Sequence, residues 1–277
     1  MDGKDHFYVT VPSNTVVTNK TNHFRVHLPQ ELDLEGAWDV ALVDVVYPYS
    51  WNNVPHPSDT LTGYNLVMSD VEPFKVSIPM GNYQTVLDLL AGITAAHGLQ
   101  IHVWEKLRKE EKELELKKKV TLAKTPPTIL FDFDPTVKRV TIDFINPRVD
   151  QISMSPHLAY MLGFKNNDIK ATEEKVMADY PPDLRGGIDA LFIYLDIIEN
   201  QIVGNTMAPL LQIVPVEGHY GDLIQKTFYS PHYLSVLNKK VSTIEVNIKN
   251  DINTHIDFNF GKIILKLHFQ KRKRKIF

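Results

Sequence analysis

The chain has 277 residues, of which 43% are hydrophobic and 10% aromatic, and its net charge is −3; this composition excludes a disordered or fibrous chain and is enough to bury a sizeable core. Cysteine is absent, which excludes disulfide scaffolds and thiolate catalytic or metal sites and fits a reducing compartment. Setting aside the five positive charges of Lys271, Arg272, Lys273, Arg274 and Lys275 leaves the rest at −8, an asymmetry that points to a basic segment with its own partner. Met1-Asp2-Gly3-Lys4-Asp5 carries no apolar signal region, and no run is expected to span a membrane. Asn19-Lys20-Thr21 matches a glycosylation acceptor but reads as chance without a secretion signal.

Residues 7–11 read as a strand with Phe7, Val9 and Val11 on one face, and 23–28 repeat the pattern with Phe24, Val26 and Leu28. Residues 37–47 are nearly continuously apolar, as in a strand covered on both faces, and Pro48, Pro55 and Pro57 then impose a loop. Phe74, Val76 and Ile78 mark another strand. A turn at 79–82 leads into a helix with Asn82 as its expected N-cap and Val86, Leu89, Leu90 and Ile93 at helical spacing. Residues 105–119 read as a solvated helix, because Glu105/Lys109, Glu113/Lys117 and Glu115/Lys119 stand four apart; Leu107 and Leu114 are too few for a coiled coil. A hairpin is expected from 129–133 and 139–145 through Asp134-Pro135. Ser155-Pro156 opens a short helix that Gly163 closes.

Strands are expected again at 188–198, 209–216 and 222–229. A closing ladder of three antiparallel strands follows, with Ile244, Val246 and Ile248, then Ile256, Phe258 and Phe260, then Ile263, Leu265, Leu267 and Phe269 each alternating with polar residues. The expected organisation is mainly β: one discontinuous sandwich built from 1–64 and 179–277, with an α+β domain inserted at 65–178.

No catalytic motif matches that ladder in strength. Asp132, Asp134 and Asp143 read as surface carboxylates of one hairpin rather than as paired acids with split pKa values. The stretch 251–257 lacks the glycine and closing glutamate of a calcium loop and reads as a polar strand face or turn. His97 and His102 stand five apart, poor spacing for a shared metal, and Glu217-Gly218-His219 is a weak signal alone. Gly186-Gly187 precedes a strand and so permits a turn rather than cradling phosphate, and Ser155 is a cap rather than a nucleophile. Trp38 is expected in the core; Trp51, among prolines, is a candidate interface aromatic as well as a candidate core residue. Lys271, Arg272, Lys273, Arg274 and Lys275 suit nucleic-acid contact, nuclear import or docking on a protein; the bland reading is a solubilising end. No aromatic interleaves them, which argues against specific single-strand binding.

Several segments together resemble a known family. They are Glu35-Gly36-Ala37-Trp38-Asp39-Val40, Ile78-Pro79-Met80-Gly81-Asn82-Tyr83, Ser155-Pro156-His157-Leu158-Ala159-Tyr160-Met161-Leu162-Gly163-Phe164, Gly186-Gly187-Ile188-Asp189-Ala190-Leu191, Gln201-Ile202-Val203-Gly204, Ala208-Pro209-Leu210-Leu211 and Phe260-Gly261-Lys262. In number and order they resemble the minor capsid (penton) proteins of Maverick/Polinton elements and adintoviruses, akin to virophage pentons. The resemblance implies a jelly-roll β-sandwich, five-fold assembly at icosahedral vertices, and no enzymatic activity or cofactor. It implies as partners the chain itself as a homopentamer and a major capsid protein, with packaged DNA or the shell as candidates for the basic segment and a host receptor for the insertion. Localisation would be the virion, after synthesis in the host cytoplasm or nucleus. The alternatives are a non-viral β-sandwich module that binds a glycan or protein, and an enzyme of unrecognised type.

Overall fold

Period-two alternation builds most of the strands, and its apolar side decides which face of each is buried. The computed structural model describes residues 5–57, 61–69, 72–114 and 126–272. Strands β1 (His6–Pro12), β2 (His23–Asp33) and β3 (Trp38–Pro48) come first. Then follow β4 (Gly63–Met68), β5 (Phe74–Ser77), helix α1 (Val86–Leu114), β6 (Leu130–Asp134), β7 (Arg139–Asp143), β8 (Val149–Met154), helix α2 (Pro156–Leu162), β9 (Asp168–Lys170) and β10 (Val176–Met177). The last group is β11 (Ala190–Leu195), β12 (Gln201–Val203), β13 (Thr206–Ala208), β14 (Leu210–Pro215), β15 (Leu223–Thr227), β16 (Leu234–Ser235), β17 (Lys240–Lys249) and β18 (Ile264–Lys271). The chain divides into two compact units, one of Met1–Trp51 with Ile188–Phe277 and one of Asn52–Gly187. The boundaries expected at 64/65 and 178/179 therefore shift. Residues 52–64 and 179–187 belong to the inserted unit, where Asn53 ties its own segment to Tyr83 and Leu184 through hydrogen bonds of 2.6–2.9 Å.

In the first unit two antiparallel sheets have the strand orders β1-β18-β3-β15 and β14-β11-β17-β2, with β16 added against β3. Numbered along the chain, these eight strands alternate between sheets as 1-8-3-6 and 2-7-4-5, the order of a jelly roll with two Greek keys. The first strand pairs with the last, Val9 opposite Leu267 and Val11 opposite Leu265. In the second sheet Ile193 faces Ile248 and Val246 faces Phe24. These side chains, with Leu42, Val45, Tyr47 and Phe269, form one buried core. The expected mainly β jelly-roll sandwich with an α+β insertion is the fold observed.

The closing ladder differs from expectation. Two strands form it, β17 and β18, and 255–260 is a loop that touches the ladder only through a bridge from His255 to Lys249. Because β17 and β18 lie in different sheets, the connection must cross between them and cannot stay as a hairpin strand. Its backbone is satisfied from elsewhere: Asn22 Nδ2 donates to Ile256 O (2.8 Å), Ser50 Oγ to Phe260 O (2.8 Å) and Asn259 N to Ser50 O (3.1 Å). Ile256 is buried and Phe258 packs on the core, so the alternation seals the end of the sandwich. The turn at 250–254 needs no cation. Asn250 Oδ1 accepts from Thr254 N and Oγ1 at 2.9 and 2.8 Å.

The inserted unit holds a sheet ordered β5-β4-β8-β9, a sheet ordered β10-β7-β6, and both helices, so it is α+β. Helix α1 lies against β5 and β6 and buries Leu89, Leu90, Ile93 and Trp104. Its cap is Thr85 rather than Asn82. Thr85 Oγ1 accepts from Asp88 N (3.1 Å) and Asp88 Oδ2 from Thr85 N (2.9 Å), a reciprocal box that Asn82, three residues further back, is too distant to make. The helix runs unbroken into the charge-dense stretch, where Glu105, Lys106 and Leu107 are exposed; 115–119 lie outside the described residues. Contrary to expectation, Val86–Leu107 is long and apolar enough to cross a bilayer by length and composition, yet its buried face belongs to this unit's core. Ser155 caps α2 through Leu158 N (3.3 Å), and Gly163 ends it in the left-handed region at φ 84°.

Candidate functional site

The basic segment begins inside the barrel. Lys271 is the last residue of β18 and pairs with Trp38. Arg272 N donates to Ala37 O (2.8 Å), and its guanidinium binds Asp39 Oδ1 (2.5 Å), Asp39 Oδ2 (3.2 Å) and Ser235 Oγ (2.5 Å). Arg272 is thus a tether with its charge compensated. Lys273, Arg274 and Lys275 lie outside the described residues. Trp51 is corrected from interface aromatic to core. It is 1% exposed, stacks on Tyr49 at 4.3 Å and meets Phe258 edge-on at 5.6 Å, although it lies just beyond the end of β3. Trp38 is buried as expected, its indole donating to Glu35 O (3.2 Å).

The register puts the carboxylates of the β6–β7 hairpin on one face, none directly opposite another. Asp134 Oδ1 closes the turn by accepting from Thr136 N (2.8 Å), Asp132 stands opposite Thr141, and Asp143 opposite Leu130. Among the described residues no cluster of acidic or imidazole groups could hold a metal ion. His97 is a satisfied core histidine. Its Nε2 lies 3.0 Å from Pro127 O, which can only accept, so Nε2 carries the proton and Nδ1 accepts from Tyr64 OH at 2.7 Å.

Burial holds His97 below the ordinary imidazole value of 6.5, partly offset by the bond to Pro127. The unfolded chain therefore takes up a proton near that value that the native state refuses, and stability falls as pH drops through 6.5 toward the native value. His255 and His268, also lowered chiefly by burial, add in the same sense. The melting temperature is expected to be lower at about pH 5.5 than at about pH 7.5, with a shallower dependence in His97→Gln, as thermal melts at the two pH values would show. An unchanged dependence in the variant contradicts the assignment.

A concave feature lies on the outer face of the second sheet, which sequence reasoning missed. It is a cleft of about 840 Å³, within the rough 300–1,000 Å³ span of ligand sites. Alternation points Phe192 and Tyr194 of β11 outward beside Glu245, Asn247 and Lys249 of β17, and these side chains form the floor. The β12–β13 hairpin lines one side with 203–208, and 251–253 line another. The polar half of the β17 alternation was legible; its pairing with β11 and the hairpin are non-local and were not. Glu245 accepts from His23 Nε2 (2.8 Å) and Arg25 Nε (2.9 Å), and these two bonds hold it below the usual carboxylate range. Asp196 is pushed up by burial, though Glu245 N donates to its Oδ1 at 2.9 Å. Asn247 Oδ1 is buried with no hydrogen-bond partner among the described residues.

Strand order and insertion define the class: a jelly-roll protein with an α+β unit between its third and fourth barrel strands. No family model and no curated protein matches the chain. Among solved structures it is similar to the mavirus penton protein, crystallised with selenomethionine, with a TM-score of 0.49 and 12% identity over 97% of this chain and 100% of that one.

Proposed function

We infer that the chain is a structural virion protein, a penton-type minor capsid protein that assembles as a homopentamer at the five-fold vertices of an icosahedral shell. The observation that carries this reading is the 1-8-3-6/2-7-4-5 strand order, which closes both described ends of the chain into one barrel. The penton-like segments of the sequence add to it. The barrel also offers unlike flanks. Edge strand β1 leads directly to edge strand β2, and β14 leads directly to β15, the remaining two edges. Val17 is fully exposed between the first pair; Ile213 and Leu223 are exposed on the second. Unlike surfaces on one molecule suit the heterologous contacts of a cyclic ring. The mechanism is burial of these flanks against sister molecules and a major capsid protein, with no chemistry performed. A host receptor is the further partner proposed for the insertion.

A ring of this kind has a mass that rises with concentration to five chains. Light scattering across a concentration series, with and without the shell protein, is expected to show that species; monomer throughout contradicts the reading.

A further inference from the structure

The cleft on the second sheet is built to receive hydrogen-bond donors and positive charge. Three carboxylates, Asp196, Glu245 and Asp251, line it against one lysine. That lysine is committed: Lys249 Nζ binds Asn253 Oδ1 at 2.8 Å and lies 5.9 Å from the centre of the Tyr194 ring. Glu245 is committed to Arg25 and His23. Among the described residues no ion pair joins Asp196 or Asp251 to a cation, although Asp196 Oδ1 accepts from Glu245 N at 2.9 Å. Asp196 and Asp251 therefore line the same space with no ion pair to compensate them among the described residues, beside Phe192, whose ring favours a guanidinium or ammonium group. The rim adds apolar surface, with Met207 58% and Ile252 73% exposed. The matching ligand is a short peptide with basic residues next to apolar ones.

The chain carries such a peptide. Lys273-Arg274-Lys275-Ile276-Phe277 follows immediately on the Arg272 tether and places three cations ahead of two large apolar side chains. It does not suit the cleft of its own copy. Arg272 is held on the first sheet by Asp39 and Ser235, whereas the cleft opens on the outer face of the second. Three extended residues span about 10 Å, which only matches the spacing of two stacked sheets. We propose that the cleft receives residues 273–277 of a neighbouring copy, each arm passing to the next copy in one direction around the ring. This deepens the assembly reading and rests on it, because the occupant comes from a second copy.

The absence of cysteine provides a clean test. Asn205→Cys places a thiol on the hairpin beside the cleft, and Ile276→Cys places one on the arm. The two full-length single variants, mixed and oxidised, are expected to give a disulfide-linked heterodimer. Thr10→Cys, on the first sheet, should give at least about fivefold less with the same partner. Adding Asp251→Asn to the Asn205→Cys chain should lower the linked fraction about twofold, and Asp196→Asn with Asp251→Asn about fivefold. Asp251 is exposed, so its variant tests charge with the fold intact. No heterodimer, equal linkage to Thr10→Cys, or linkage only within a chain carrying both cysteines overturns the proposal. So does an arm that retains duplex DNA and gives no linkage. Counting subunits in the same sample separates the two readings: pentamers without linkage defeat the arm contact alone, and linkage without pentamers defeats the ring alone.

Discussion

Replacing Phe269 by alanine is expected to remove about 3–5 kcal/mol from the stability of the barrel. The side chain is fully buried and its ring stacks on Phe7 at 5.0 Å, while Phe7 in turn leans on Trp38 at 5.4 Å. Phe269 stands opposite Phe7 of β1 on one side and Val40 of β3 on the other, so its loss opens a cavity where the first, third and last barrel strands meet. Backbone ladders on both sides of β18 prevent collapse into that space. Chemical denaturation of the Trp104→Phe background, followed by the fluorescence of Trp38 and Trp51, should show a lower midpoint with an unchanged slope. Phe260→Ala, at a half-exposed position in the connecting loop, should cost less than about 1.5 kcal/mol. Equal costs at the two positions would mean that the last strand does not lie where the register places it.

Gly163→Ala should be nearly as damaging to the inserted unit. Gly163 closes α2 at φ 84°, where an L side chain costs about 1–2 kcal/mol. A Cβ there would also stand 2.1 Å from Tyr180 O and 3.0 Å from Pro181 O, both backbone atoms. Tyr180 N donates to Gly163 O at 2.8 Å, so the two segments cannot part without losing a bond. Overlap of this sort adds about 1–3 kcal/mol. Gly187→Ala is the control, because it shares a positive φ of 79° but meets open space. The difference between the two variants isolates the steric part, and a difference near zero would contradict the close approach of α2 to 180–181.

Legibility in the sequence followed the range of the interaction. Ser155 and Gly163 were readable because capping is decided within a few residues. Strands β1, β17 and β18 were readable because each buries one face completely enough to leave a strict alternation. The same alternation misled at 255–260, since a loop that seals the end of a sandwich also buries every second residue. Strands β4 and β8 went unexpected although Tyr64, Leu66 and Met68, and Ile152 and Met154, alternate and Asn146-Pro147 and Ser155-Pro156 bracket β8; each is only six residues long, too short for the alternation to stand out by itself. Trp51 depends on Tyr49 and on Phe258, two hundred residues away in sequence, and local context suggested a loop instead. The cleft has no local signature. Its floor comes from two strands brought side by side by topology, and its wall from a short hairpin whose residues are unremarkable alone.

The most direct test of this account is the rotational order of the purified full-length protein in negative-stain class averages. The account predicts closed rings with five-fold symmetry, enriched as concentration rises. Isolated single particles at every concentration, or rings of another order, would contradict it.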